Sequence, residues 1–260
     1  MHHRHVLLLA LVATYYGVAT FALATFDAGL LVTAVVLFGL PALVLSHFTL
    51  APAAVLVSVT LLGLGMATIL EGVAHIYGLW YSLGITELRL FGILPVEMVI
   101  ALTLQVLAMA LLYEVLFDDG TYTQKSAYER GGFFLAFGIA AVGLVVLHEY
   151  VAPTLMLAHS YLWLIGSLLA ASILMLMLHR EFSIPFLDRV LDFSLIAAVP
   201  GALSLWLAAH NVHKVFALEH QYLDMVWLFG QPVPFEELLL LFVIPFFVAI
   251  TYELYLDDRT

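Results

Sequence analysis

Three glutamates stand just inside two long apolar runs, each behind a proline: Glu97 in Pro95-Val96-Glu97, and Glu236 with Glu237 in Pro234-Phe235-Glu236-Glu237. Proline suits the first turn of a helix, where its missing N–H costs nothing. The glutamates then fall in that same turn, where the helix dipole favours negative charge. One reading is local: helix-start carboxylates wetted at a membrane interface. The other is chemical: a carboxyl at the edge of a lipid-embedded run is costly and usually functional, and it can give or take a proton in a reaction. Duplication favours the chemical reading. Residues 95–120 overlay 234–259 without a gap, matching Pro95/Pro234, Glu97/Glu236, Leu102/Leu241, Ala110/Ala249, Tyr113/Tyr252, Glu114/Glu253, Asp118/Asp257 and Asp119/Asp258. Charged residues make up only 10% of the chain, so the acidic matches carry most of the weight. So long a period suits a duplicated membrane unit whose site lies between the copies.

Other chemistry-bearing residues cluster near these runs. Glu71 and His210 take equivalent places at the ends of the third and seventh apolar runs, with His75, His213, Glu219, His220 and Asp224 close by. His210 and His213 have a three-residue spacing that a metal could use, but no Glu-x-x-His pair accompanies them, as a di-iron bundle requires; no metal is assigned. His148 and His159 are isolated and read as interfacial hydrogen-bonding residues. Glu114 and Glu253 close the two motif helices, where Arg130 or Arg180 could pair with the Tyr-Glu steps and pin the bundle. The Asp pairs behind them read as solvated charge. Phe235, Phe242, Phe246, Phe247 and Tyr252 belong to the second motif helix, as packing or as ring faces that stabilise a cation. Pro245 should kink that helix; its counterpart is Val106, so the halves should differ in shape.

The elements that position these groups follow from composition. The chain has 260 residues, 64% hydrophobic, with a mean hydropathy of +1.10. No globular core hides so much apolar surface, and no strand-like alternation appears, so the solvent is lipid and the architecture a helix bundle. There is no cysteine, which removes thiolate catalysis and Cys-type metal sites. The net charge of −11 argues against nucleic acid as a partner. No nucleotide-binding glycine loop, Gly-x-Ser-x-Gly or His-Glu-x-x-His is present. About twenty apolar residues cross a bilayer, and eight runs qualify, near 6–25, 28–46, 52–70, 94–117, 132–149, 154–178, 187–209 and 234–256. The first has a basic lead but lacks a clear cleavage site, and reads as a span rather than a signal peptide. Residues 118–131 are the most polar stretch and join the halves. Two aromatic connections, 71–93 and 210–233, precede the Pro-x-Glu helices. Each holds a Phe-Gly step (Phe91-Gly92, Phe229-Gly230), with a one-residue slip. They should lie at the interface or fold back into the membrane, with Trp80, Tyr81, Tyr222 and Trp227 at headgroup level.

The expected fold is therefore an all-α integral membrane protein: about eight transmembrane helices as two tandem parallel repeats of four, residues 1–120 and 121–260. With the N-terminus inside, Arg4, Lys125, Arg130, Arg180, Arg189 and Arg259 fall on the cytoplasmic side, and Arg89 and Lys214 outside. This predicts a multi-pass cell-membrane protein with both termini cytoplasmic.

Two Pro-x-Glu-type helices in a small polytopic chain resemble the integral-membrane lycopene cyclases, whose domain is split over two subunits or fused in one chain. Glu71, Gly78-Leu79-Trp80-Tyr81, Gly84, Leu94-Pro95-Val96-Glu97 and Tyr113-Glu114 carry the resemblance in the first half, and Pro234-Phe235-Glu236-Glu237 and Tyr252-Glu253 in the second. Met98 stands where the pattern has a second acid, and the second half lacks the Gly-x-Trp step. The resemblance implies a redox-neutral, cofactor-free cyclisation of a bilayer-dissolved acyclic carotenoid. A carboxylic acid protonates the terminal double bond, the neighbouring alkene closes a six-membered ring on the cation, and a base removes a proton. Such an acid has to hold its proton near neutral pH, which low-dielectric surroundings and a second carboxyl favour. Water must be excluded, or the cation is captured as an alcohol. Glu236 is the expected donor, with Glu237 assisting or acting as base and Glu97 facing it across the pseudo-twofold axis. Glu71, Trp80, Phe235, Phe242, His210 and Tyr252 are the expected substrate contacts. The alternatives are hydration of a related isoprenoid end group, a non-catalytic carotenoid-binding protein, and a small-molecule transporter.

Overall fold

A computed structural model describes residues 3–83, 86–92, 94–117, 127–146, 160–178, 184–216 and 222–256. Asp118, Asp119, Lys125, His148, His159, Arg180, Glu219, His220, Asp257, Asp258, Arg259 and Gly84 lie outside these residues. Among the described residues, seven helices are long and apolar enough to cross a membrane. They are α1 (His3–Thr25), α2 (Leu30–Thr49), α3 (Ala53–Tyr77), α4 (Val96–Phe117), α6 (Ser160–Leu178), α7 (Ile184–His210) and α8 (Phe235–Leu256). The expected span near 132–149 coincides in large part with helix α5, Ala127–Val146. Leu11, Phe21, Trp163 and Met177 are exposed on these helices, a pattern suited to lipid and not to water.

Among the described residues, two helices contain a π turn. In α2, Val35–Gly39 shifts the ladder so that the Leu40 N–H reaches the Val35 carbonyl. The next amide would serve Val36, but residue 41 is proline and has none. The Tyr15 hydroxyl of α1 donates to the Val36 carbonyl instead. A backbone group stranded at membrane depth is thus satisfied by a neighbouring helix. In α8 the π turn covers Tyr252–Leu256.

The connection expected at 71–93 begins later than the sequence suggests. Glu71 and His75 are polar, but the helix runs through them to Tyr77 and stops at Gly78, a left-handed residue at φ 67°. Leu79 N–H then returns to Ala74 O at 2.9 Å, closing the helix end. Helix α7 ends in the same manner: Val212 is left-handed at φ 55° and His213 N–H reaches Ala208 O at 2.8 Å.

The expected all-α character holds for the spans but not for the connections, which form three two-stranded ribbons among the described residues. Strand β2 (Arg89–Leu90) pairs antiparallel with β3 (Leu94–Pro95), and β5 (Met225–Leu228) with β6 (Gln231–Pro234). These are hairpins, turning at Phe91-Gly92 and Phe229-Gly230, with all four residues at positive φ. The one-residue slip between the Phe-Gly steps is a difference in hairpin length: Pro95 pairs with Arg89, whereas Pro234 pairs four residues before its turn, with Met225. The third ribbon joins the two connections. Strand β1 (Tyr81–Ser82) pairs with β4 (Lys214–Val215), with Tyr81 opposite Val215. Each of these two residues lies three positions past its left-handed helix stop.

Each hairpin leads into a helix that packs along the one before it, α4 along α3 and α8 along α7. At Gly63 the approach is close enough that a Cβ would lie 3.0 Å from Thr103 O. Helices α4 and α8 also contact each other.

Candidate functional site

The two Pro-x-Glu starts make the same bonds. Pro95 and Pro234 stand just before the first helical residue, so the helices begin at Val96 and Phe235. Glu97 Oε1 accepts the Thr86 N–H at 2.6 Å, and Glu236 Oε1 accepts the Leu223 N–H at 2.6 Å. Both carboxyls are buried, at 3% and 0% exposure, and the second oxygen of each is buried with no hydrogen-bond partner among the described residues. Each therefore fastens the strand entering its hairpin to the helix leaving it.

The helix ends are also matched, and they bind each other. Tyr113 Oη donates to Glu253 Oε1 at 2.6 Å, and Tyr252 Oη donates to Glu114 Oε2 at 2.7 Å. The four side chains are buried. The Tyr-Glu steps, expected to pin the bundle through arginine, pin α4 to α8 reciprocally.

Between these two belts lies a cavity of about 100 Å³, walled by α3, α4, α7 and α8 and capped by the β1–β4 ribbon. Much of its lining is apolar, with Leu70, Met98, Leu102, Leu205, Leu240 and Leu241 in the wall. Its charged members are Glu71, Lys214 and Glu237. Glu71, fully buried, accepts the Trp80 indole N–H at 2.9 Å and lies 3.0 Å from the Ser82 hydroxyl, which donates to its other oxygen. His75, one turn along α3, approaches it at 3.7 Å. The Glu237 side chain takes hydrogen bonds from the Tyr161 hydroxyl and the Lys214 ammonium on the same oxygen. The Lys214 Nζ also sits over the face of Trp80, 3.7 Å from the ring centroid, with Phe216 at 5.4 Å. Trp80 thus touches both ends: its N–H meets one carboxyl and its face meets the cation paired with the other.

Of the expected site residues, Glu71, Trp80 and Glu237 border this cavity. Glu236 and Glu97 do not; each is turned into its own hairpin. Tyr252 is bound to Glu114 on the α4–α8 contact. Phe242 stacks on Phe246 with centroids 6.2 Å apart, and Phe235 is 40% exposed. His210 is exposed and stacks on Trp206. His213 does not share a helical face with it, because the chain turns at Val212. His213 Nε2 instead lies 2.9 Å from Ala28 O.

Counted back from the left-handed stops Gly78 and Val212, the counterpart of Glu71 is Leu205 rather than His210, and that of Trp80 is Lys214. Sequence reasoning missed Lys214 and Tyr161 as site residues. The signal for Lys214 was present: it is one of two lysines in the chain and falls beside a membrane span. Tyr161 carries no comparable mark among 12 tyrosines.

No family model, curated protein or solved structure matches the chain.

Proposed function

We propose that the protein is a membrane-embedded enzyme that cyclises the acyclic ends of a carotenoid-like isoprenoid by acid catalysis, without redox change. The observation that carries this reading is a pair of buried carboxyls, Glu71 and Glu237, in the lining of one apolar-walled cavity. A proton must enter the substrate at one carbon and leave from another, and two carboxyls supply a donor and an acceptor. The proposal takes Glu71 as donor, because its ion-pair contact among the described residues is with His75, at 3.7 Å, and no lysine or arginine comes that close. Glu237, hydrogen-bonded by the Lys214 ammonium, is the acceptor. Glu236 and Glu97 keep the hairpins in place and touch no substrate. The acid proton bonds to the terminal alkene carbon, leaving a tertiary cation. The next alkene closes the ring, and Glu237 takes a proton from the ring carbon beside the new cation. One proton enters and one leaves, so the formula is unchanged.

The same proposal takes the chain as two tandem units of four spans, 1–120 and 121–260, related by an axis along the membrane normal. The matched hairpins, matched Glu97 and Glu236 bonds and reciprocal Tyr-Glu pairs support it. Both termini are assigned to the cytoplasmic side of the cell membrane on the arginine distribution.

Hydration of the end group is the second reading, favoured by Gln105 and Ser204, two polar groups in the cavity wall that suit a bound water. Expression in cells that accumulate an acyclic carotene tests both. A product of unchanged mass with a ring supports cyclisation, and a gain of one water supports hydration. Unaltered pigment, with the protein present in the membrane, refutes both.

A further inference from the structure

Lys214 has a place in the cavity that the proton transfers alone do not explain. Its ammonium is held by the Trp80 face at 3.7 Å, by Phe216 at 5.4 Å and by Glu237. Its side chain is only 11% exposed. Two aromatic faces and a carboxylate around one point make a receptor for a positive charge, and ring faces hold a desolvated cation most strongly. The cavity contains two carboxyls and one ammonium. Once one carboxyl has given up its proton, two carboxylates face one ammonium, and one more positive charge balances the site.

We propose that the Trp80 face covered by Lys214 is the seat of the cationic intermediate, and that Lys214 occupies it as a placeholder until a substrate end displaces it. This deepens the cyclase reading and rests on it. Proton transfer moves the alkene electron pair into a new C–H bond, leaves positive charge on the tertiary carbon and turns the donor into a carboxylate. Trp80 serves both products of that step: its N–H bonds the Glu71 carboxylate and its ring face opposes the carbocation. The lysine stem is long enough to swing its ammonium aside while remaining near Glu237. The seat is consequently specific for a cation on a hydrocarbon tail, and a long-chain trimethylammonium is its stable mimic.

The test uses the full chain in zwitterionic lipid nanodiscs, with empty nanodiscs as the blank. Binding of dodecyltrimethylammonium is compared with binding of its neutral carbon isostere, which ends in a tert-butyl group. The expected preference for the cation is about tenfold, equivalent to about 1.4 kcal/mol. Trp80→Leu abolishes that preference, whereas Trp80→Phe keeps part of it. Lys214→Met tightens the cation about tenfold, because the competing charge has gone. Lys214→Arg, which keeps a charge over the ring, stays within about threefold of the parent. A lysine with a merely structural role gives the opposite sign for Lys214→Met. Equal binding of cation and isostere overturns the proposal, as does weaker cation binding by a folded Lys214→Met protein. If Lys214→Met fails to fold, the Trp80 pair decides the matter alone. Selective cation binding without any ring product refutes the cyclase reading and leaves the seat standing; ring formation without cation selectivity refutes the seat alone.

Discussion

The segment from Thr86 to Phe117 and the segment from Leu223 to Leu256 are built alike and equipped differently. Each is a hairpin turning at Phe-Gly, a proline, a buried glutamate that accepts a hairpin N–H at 2.6 Å, and a helix ending in Tyr-Glu. The residue after that glutamate faces the cavity in both, and there the likeness ends: it is Met98 in the first and Glu237 in the second. The same contrast recurs at Trp80 against Lys214 and at Glu71 against Leu205. Repetition coincides with the bonds that hold the backbone, and departure from repetition with residues that line the cavity.

Four experiments break or sharpen that contrast. The largest effect is expected between neighbours. Glu237→Gln should lower ring formation at least about a hundredfold in the pigment assay, since it removes a group that transfers a proton. Glu236→Gln keeps an oxygen for the Leu223 N–H and should stay within about threefold; equal losses at both positions would erase the division between frame and chemistry. Next in size, Glu97→Ala and Glu236→Ala each remove a buried carboxyl's bond to a backbone amide, worth about 1–3 kcal/mol. Thermal unfolding in detergent should show losses of similar size in the two variants, and a loss confined to one would mean that the hairpins are not held alike. Tyr113→Phe and Tyr252→Phe should each cost about 1–2 kcal/mol by leaving a buried carboxylate one donor short. The double variant reads whether the two bonds are independent, in which case the costs add. The smallest effect concerns the turns. Phe91 and Phe229 sit at φ 52° and 45°, where asparagine is better tolerated. Phe91→Asn and Phe229→Asn should each stabilise by roughly 0.5 kcal/mol, with the same sign at both sites.

The spans were legible because about twenty apolar residues in a row admit one outcome in lipid. The end of α3 was not, because Glu71 and His75 are polar and resemble the start of a loop. Glu71 faces the cavity with His75 beside it, and the physical stop is Gly78. The acids were legible as a set but not by role. Choosing Glu236 for its counterpart Glu97 selected a residue that, like Glu97, bonds its own hairpin. The neighbour with no counterpart, Glu237, is the one at the cavity. Lys214 entered the reading only as an exception on the outer side. Its partner Trp80 is brought to it by the β1–β4 ribbon, and a two-residue pairing between distant connections leaves no trace in local pattern.

The crossed bonds at the helix ends have an implication for ancestry. A single half of this chain presents both a hydroxyl and a carboxyl, side by side in sequence, and each reaches for the other kind on the opposite helix. Two identical halves could therefore close the same two bonds around a symmetry axis, as an isologous pair does. In one polypeptide the two need not be the same, and the positions after the matched glutamates, Met98 and Glu237, differ.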